Sequence, residues 1–187
     1  MGHFGIPRMS PRAPAVNVMN SIYGTGGFSS RLMNKVRTEH GYVYGVGGGI
    51  FSDEPVGLFT GAAASQSKTT VAAIKEMINV TKSLTENPPR PEELEVARRD
   101  VFFTFVNQFA TPSSTLSTHM IHDYRGYPED YLKTFPEKVK EVTGADVIKA
   151  AEDFLHLDRL KIYVIGNEKE LDAPLSTFGE VVEWNLN

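Results

Sequence analysis

The chain has 187 residues, 41% of them hydrophobic, a size at which one domain can bury roughly 70% of its unfolded surface without a covalent staple. It contains no cysteine, which excludes disulfides, thiolate zinc sites and a thiol nucleophile and leaves the redox compartment open. The net charge of -4 comes from 19 basic and 23 acidic residues with no basic run longer than two, which argues against a nucleic-acid footprint; no apolar segment approaches the ~20 residues of a membrane span.

Residues 1–10, MGHFGIPRMS, lack the charged start and apolar core of a signal peptide. HFGIPRMSPRAP reads as a short strand followed by a turn, because Pro7, Pro11 and Pro14 each remove a backbone donor and disfavour helix before them. Ala15, Val16, Met19, Ile22 and Tyr23 then recur at intervals of three and four, predicting an apolar helical face that ends at GTGG, 24–27. A second helix is expected from about Phe28, with Ser29 and Ser30 in its first turn and Leu32 and Val36 facing the core.

The stretch RLMNKVRTEHGYVYGVGGGIFS, 31–52, changes from helical chemistry to alternating aromatic, β-branched and glycine residues, with only seven positions between Arg37 and Tyr44. Residues 42–51 and 56–64 read as two strands of a hairpin joined by SDEP, where Ser52, Asp53 and Pro55 supply turn chemistry. Downstream, Val71, Ile74, Ile78 and Leu84 are in helical register, with Ser67 available as cap and NPP as terminator. RPEELEVARRD opens a helix on Pro91, and Glu93 and Glu95 with Arg98 and Arg99 read as ordinary charge pairs along its exposed face. Thr111 and Thr143 are expected caps of later helices, RLKIYVIG reads as a strand with Leu160, Ile162 and Val164 on one face, and VVEW as a short extended piece. Hairpin, meandering strands and helix pairs together predict an α+β domain.

Several constellations invite chemistry. The clusters GTGG and GVGGG lack the Gly-Lys-Ser/Thr ending and the G-x-G-x-x-G spacing of phosphate loops, so 24–27 reads as a turn between helices and 47–49 as a strand crossed closely by another backbone. His119 and His122, three apart and beside Asp123, could share a helix face, but no carboxylate stands between them as in H-E-x-x-H; partly exposed helix histidines are the simpler reading. His156 reads as a helix-end residue. Taken alone, Arg37 is an arginine satisfied by the loose carbonyls of a helix end, and Tyr44 an ordinary core tyrosine of a strand.

The block HFGIPRMSPRAPAVNVMNSIYGTGGFSSRLMNKVRTEHGYVYGV, with NSIYG from Asn20, GGFSSRL from Gly26 and a tyrosine seven residues past VR, resembles the C-terminal, metal-free domain of the insulinase and pitrilysin-like zinc metallopeptidases, the superfamily of the mitochondrial processing peptidase. PEELEVAR, TPSSTLSTHMI, GYPEDYL, EVTGADVIKAAEDFL and RLKIYVIGNEKEL continue the resemblance in order to the end of the chain. It implies a mixed, mainly antiparallel sheet with helices packed on one face, a single domain over 1–187 cut from a longer chain, and a homologous partner domain or subunit that holds zinc through H-x-x-E-H and a distal glutamate. That motif is absent here, so the resemblance implies no metal and no cofactor in this chain and no activity alone. It also implies that the two halves close on an extended peptide substrate, with Arg37 and Tyr44 donated to the substrate carbonyl and the transition state. The alternative within the same superfamily is a structural homologue that keeps the fold as scaffold.

Overall fold

The computed structural model describes residues 1–8, 10–53 and 56–184. Three strands, β1 (Gly2–Phe4), β2 (Val43–Phe51) and β3 (Leu58–Ser65), form an antiparallel sheet in the order β1-β3-β2, with one isolated parallel bridge between Pro7 and Asp53. Six α-helices accompany it: α1 (Ala13–Asn20), α2 (Thr70–Glu86), α3 (Pro91–Asn107), α4 (Pro112–Tyr124), α5 (Tyr131–Glu141) and α6 (Gly144–Phe154). The α+β class and the one-sided arrangement of helices expected from the sequence are both present. The cross-strand row His3, Phe59 and Ile50 is buried in the helix-covered core, whereas the next row, Phe4, Leu58 and Phe51, is exposed on the other face.

The expected helical face before GTGG is found intact. Ala15, Val16, Met19, Ile22 and Tyr23 are all buried, although α1 stops at Asn20 and the chain continues as a π-helix over Ser21–Thr25. Gly24 therefore lies inside a helix rather than in a turn. The second helix starts later than predicted: Gly27–Ser29 is a single 3₁₀ turn, Ser29 Oγ donates to the Gly26 carbonyl, and Ser30 is the residue whose hydroxyl faces the new helix. Leu32 and Val36 do face the core. The hairpin is as expected to within two residues; Glu54 and Pro55 of its SDEP connection lie outside the described residues.

Elsewhere long-range partners override local readings. In α2 the buried stripe is Val71, Ala73, Met77, Val80 and Leu84, with Ile74 and Ile78 only half-buried. Ser67 does not cap that helix. The Asp172 carboxylate, a hundred residues away, accepts from the amides of Val71 (2.8 Å) and Ala72 (2.9 Å). Desolvation alone would raise the Asp172 pKa, but these two donors, its own backbone amide and the charge of Lys75 together hold the carboxyl below its ordinary value. A carboxyl with a depressed folded pKa contributes stability above the unfolded value of about 3.9 and loses it as pH falls through the folded one. Because its carboxylate holds two amides at the start of α2, Asp172→Ala should lower stability by about 1 kcal/mol at neutral pH, as the loss of a helix cap does. Thermal melts of variant and wild type should converge in acid.

The charges of α3 also reach away from their own helix. Glu93 accepts a bidentate pair from Arg31, Nε to Oε1 at 2.8 Å and Nη2 to Oε2 at 3.0 Å, and Arg98 donates to the Val142 carbonyl. Arg31 Nη1 also reaches the carbonyls of Ser83 and Asn87, so one guanidinium ties the helix of residues 31–39 to the end of α2 and the start of α3. Thr111 and Thr143 cap α4 and α6 as expected, accepting from the amides of Ser114 and Asp146.

RLKIYVIG is not a strand. Its alternation is real, since Ile162 and Val164 are half-buried while Tyr163 and Ile165 are exposed, but a strand needs a neighbouring ladder and only Lys161 finds one, bridging Gly2. VVEW is likewise irregular; Trp184 meets the edge of the Tyr163 ring at 6.0 Å. No helix among the described residues is long and apolar enough to cross a membrane.

Candidate functional site

The π-helix Ser21–Thr25 crosses β2 at the contact of Gly24 with Gly48. A Cβ on Gly24 would lie 2.6 Å from the Gly48 nitrogen and 2.7 Å from its oxygen, so only glycine lets the two backbones meet. The close crossing read from the two glycine clusters is thus present, and it is these two segments that meet. Just before it, the buried Asn20 amide bridges the edge of β2: Nδ2 donates to the Ile50 carbonyl and Oδ1 accepts from the Ile50 amide, both at 2.8 Å. One side chain thus replaces a missing strand at that point.

From the turn Gly27–Ser29 the chain enters a helix whose last seven residues, Met33–Glu39, are wound as π-helix. π-Turns are rare and concentrate at functional positions. The helix ends at Gly41, φ +68°, whose amide donates to the Arg37 carbonyl while that of Tyr42 donates to Val36. A left-handed residue at this position reverses the chain with both loose carbonyls satisfied. The Tyr42 carbonyl is then held by Thr69 Oγ1 at 2.8 Å, and β2 begins.

At once the strand carries a bulge. Val43 pairs with Ser65 and Gly45 with Ala64, leaving Tyr44 as the extra residue. An extra residue turns a side chain to the opposite face. Val43 is buried and Tyr44 is 85% exposed, so Tyr44 is not the core tyrosine its strand position suggested.

Arg37 and Tyr44 meet. The Arg37 guanidinium carbon is 5.6 Å from the centroid of the Tyr44 ring and 5.0 Å from that of Phe28, itself 69% exposed. Among the described residues Arg37 makes no ion pair and its side chain no hydrogen bond; Glu39, the nearest acid in sequence, is bound to Lys35 at 2.7 Å. A half-buried guanidinium with unoccupied donors thus stands beside an accessible phenol. Phe28 was missed as a site residue, its one signal being a large aromatic between glycines and serines where no helix face needs it.

His119 and His122 are partly exposed on α4, as expected. His119 lies edge-on to Phe109, and His122 stacks on Tyr127 at 4.6 Å and meets Tyr131 edge-on at 5.3 Å. Desolvation, then the charges of His119 and Arg125, lower the His122 pKa, and its buried Nδ1 has no hydrogen-bond partner among the described residues. Burial pushes the neighbouring Tyr131 phenol up to about 12. These rings flank a cleft of about 520 Å³ between α1, α3 and the segment joining α4 to α5. His156 sits two residues beyond α6, its amide donating to His3 Nε2 at 3.1 Å. Among the described residues no group of three or more His, Asp or Glu side chains is placed to hold a metal ion.

Known proteins share this architecture. A crystal structure of a peptidase M16 inactive domain from Pseudomonas fluorescens matches 84% of the chain at 27% identity with a TM-score of 0.77, the chain covering 37% of that protein. A subunit in complex III2 from Candida albicans matches 84% at 17% identity and a TM-score of 0.72, a likeness of fold. The non-peptidase homolog YmxG of Helicobacter pylori is 22% identical over 153 residues, which are 82% of this chain and 35% of YmxG. This chain therefore corresponds to about a third of the length of such relatives. The family model described as the peptidase M16 inactive domain matches residues 2–101, more than half of the chain and all of the Phe28, Arg37 and Tyr44 cluster, and the chain belongs to that family.

Proposed function

We propose that this domain is the substrate-binding, metal-free half of a zinc-dependent metalloendopeptidase that cleaves extended peptides, and that it is inactive without a homologous zinc-bearing domain or subunit. The observation that supports this most is the exposed pairing of Arg37 with Tyr44, in which no carboxylate among the described residues neutralises the guanidinium. When a peptide carbonyl is attacked, negative charge gathers on its oxygen, and donors already aimed at that oxygen stabilise the transition state. The Tyr44 hydroxyl can supply one such donor. The Arg37 fork can orient neighbouring carbonyls or share the charge, which a lysine ammonium cannot reproduce in the same geometry. An extended peptide adds affinity by backbone hydrogen bonding to a sheet edge, with loose sequence preference.

A second reading is a scaffold without catalysis, favoured by the non-peptidase relative and by the likeness to a complex III subunit. A scaffold needs neither an unpaired arginine nor an exposed tyrosine. Mixing the chain with its metal-bearing companion and following an unstructured peptide separates the two: cleavage should require both components and stop with chelator, whereas a scaffold gives none in any combination.

A further inference from the structure

We propose that Phe28 is a positioning residue for Arg37, holding the guanidinium by its ring so that the N–H donors stay free for substrate; this rests on the function proposed above. A long arginine side chain near a helix end would ordinarily fold onto the end carbonyls or onto an acid, and either would occupy its donors. Here two of the end carbonyls and the nearest acid are already engaged. The Arg37 and Val36 carbonyls take the amides of Gly41 and Tyr42, and Glu39 is engaged by Lys35. What the guanidinium meets instead is two rings, Phe28 at 5.0 Å and Tyr44 at 5.6 Å. A ring attracts a cation through its π face while accepting no conventional hydrogen bond, so it fixes position without using a donor.

Phe28 has no other structural task that the geometry shows. It is mostly exposed and lies outside the hydrophobic core, yet its turn is pinned on both sides, by Ser29 Oγ on the Gly26 carbonyl and Ser30 Oγ on the Gly27 carbonyl, each at 2.7 Å. A tightly tethered turn that presents one exposed phenylalanine over an unpaired guanidinium is suited to hold that guanidinium still. Tyr44, the second ring, is itself a donor to substrate on this reading, so Phe28 is the flank whose only task is positioning.

The test uses the complete protein assembled with its metal-bearing companion. Phe28→Leu should lower kcat/KM about 5-fold, mostly in kcat, with an unchanged melting temperature. Phe28→Tyr, which keeps a ring, should restore the rate, and Phe28→Leu should add nothing in an Arg37→Ala background. An independent readout is the Arg37 Nε–H proton resonance, shifted by the ring in the wild type, displaced in Phe28→Leu and retained in Phe28→Tyr. Full kcat/KM in Phe28→Leu while Arg37→Ala has lost activity overturns the positioning role and leaves the proposed function standing. If Arg37→Ala retains full activity, the role given to Arg37 in the proposed function falls and the positioning role falls with it; a resonance insensitive to Phe28→Leu overturns the positioning role alone, whatever Arg37→Ala does.

Discussion

Replacing Tyr44 by phenylalanine in the assembled protein is expected to cut kcat by about 10²- to 10³-fold, the loss typical of one oxyanion donor. The fold should not notice. Tyr44 is 85% exposed on a bulge, its hydroxyl makes no hydrogen bond among the described residues, and the ring that flanks Arg37 remains in phenylalanine. Circular dichroism and the melting temperature should therefore match the wild type while turnover collapses. Because the phenol acts on charge that appears only in the transition state, KM should change far less than kcat. An equal rise in KM with kcat intact would instead make Tyr44 a simple contact with bound peptide.

The largest expected effect on stability lies at Asn20. Its buried amide satisfies both the N–H and the C=O of Ile50, so Asn20→Leu strands two buried backbone groups at once. At about 1–3 kcal/mol for each unsatisfied group, partly offset by burial of the larger side chain, the loss should be about 3 kcal/mol. Asn20→Ala should be milder, because Asn20 and Ile50 line the cleft of about 520 Å³ and a smaller side chain admits water to the orphaned groups. Urea unfolding with an unchanged slope would read this as a shifted midpoint. A loss below about 1 kcal/mol for the leucine variant would mean that the bridge is not a support of β2. On the proposed function the strand matters because Tyr44 sits at its other end.

Both expected results expose what the sequence carried and what it did not. Periodicity was enough for the helix ending in GTGG, because Val16, Met19 and Tyr23 answer to one core whatever their exact partners. The hairpin was legible because alternation and turn chemistry agreed. Tyr44 resisted: its exposure follows from a bulge, and a bulge is a property of two strands together, fixed only when Val43 meets Ser65 and Gly45 meets Ala64. Asn20, Asp172 and Glu93 resisted for the related reason that each finds its partner 30 or more residues away, where local spacing is silent. RLKIYVIG failed in the opposite direction. Its pattern is a good strand pattern, and β1 gives it one pairing residue.

The pairing of Arg37 with Tyr44 was proposed from resemblance, since residue types alone favoured a capped arginine and a core tyrosine. The geometry supplies independent support. The helix end at Gly41, the tether from Tyr42 to Thr69 and the bulge at Tyr44 act in succession within seven residues, and together they bring a helix side chain and a strand side chain to within 5.6 Å.

The most direct test of the account is Arg37→Lys in the mixture of this chain with its metal-bearing companion. Lysine keeps the positive charge and helical propensity and loses the planar fork and its fit beside the rings. If Arg37 holds substrate carbonyls and developing charge, peptide cleavage should fall about 10²-fold while the companion stays bound and the fold intact. Wild-type turnover in Arg37→Lys would contradict the account, because the guanidinium fork would then have no part in cleavage.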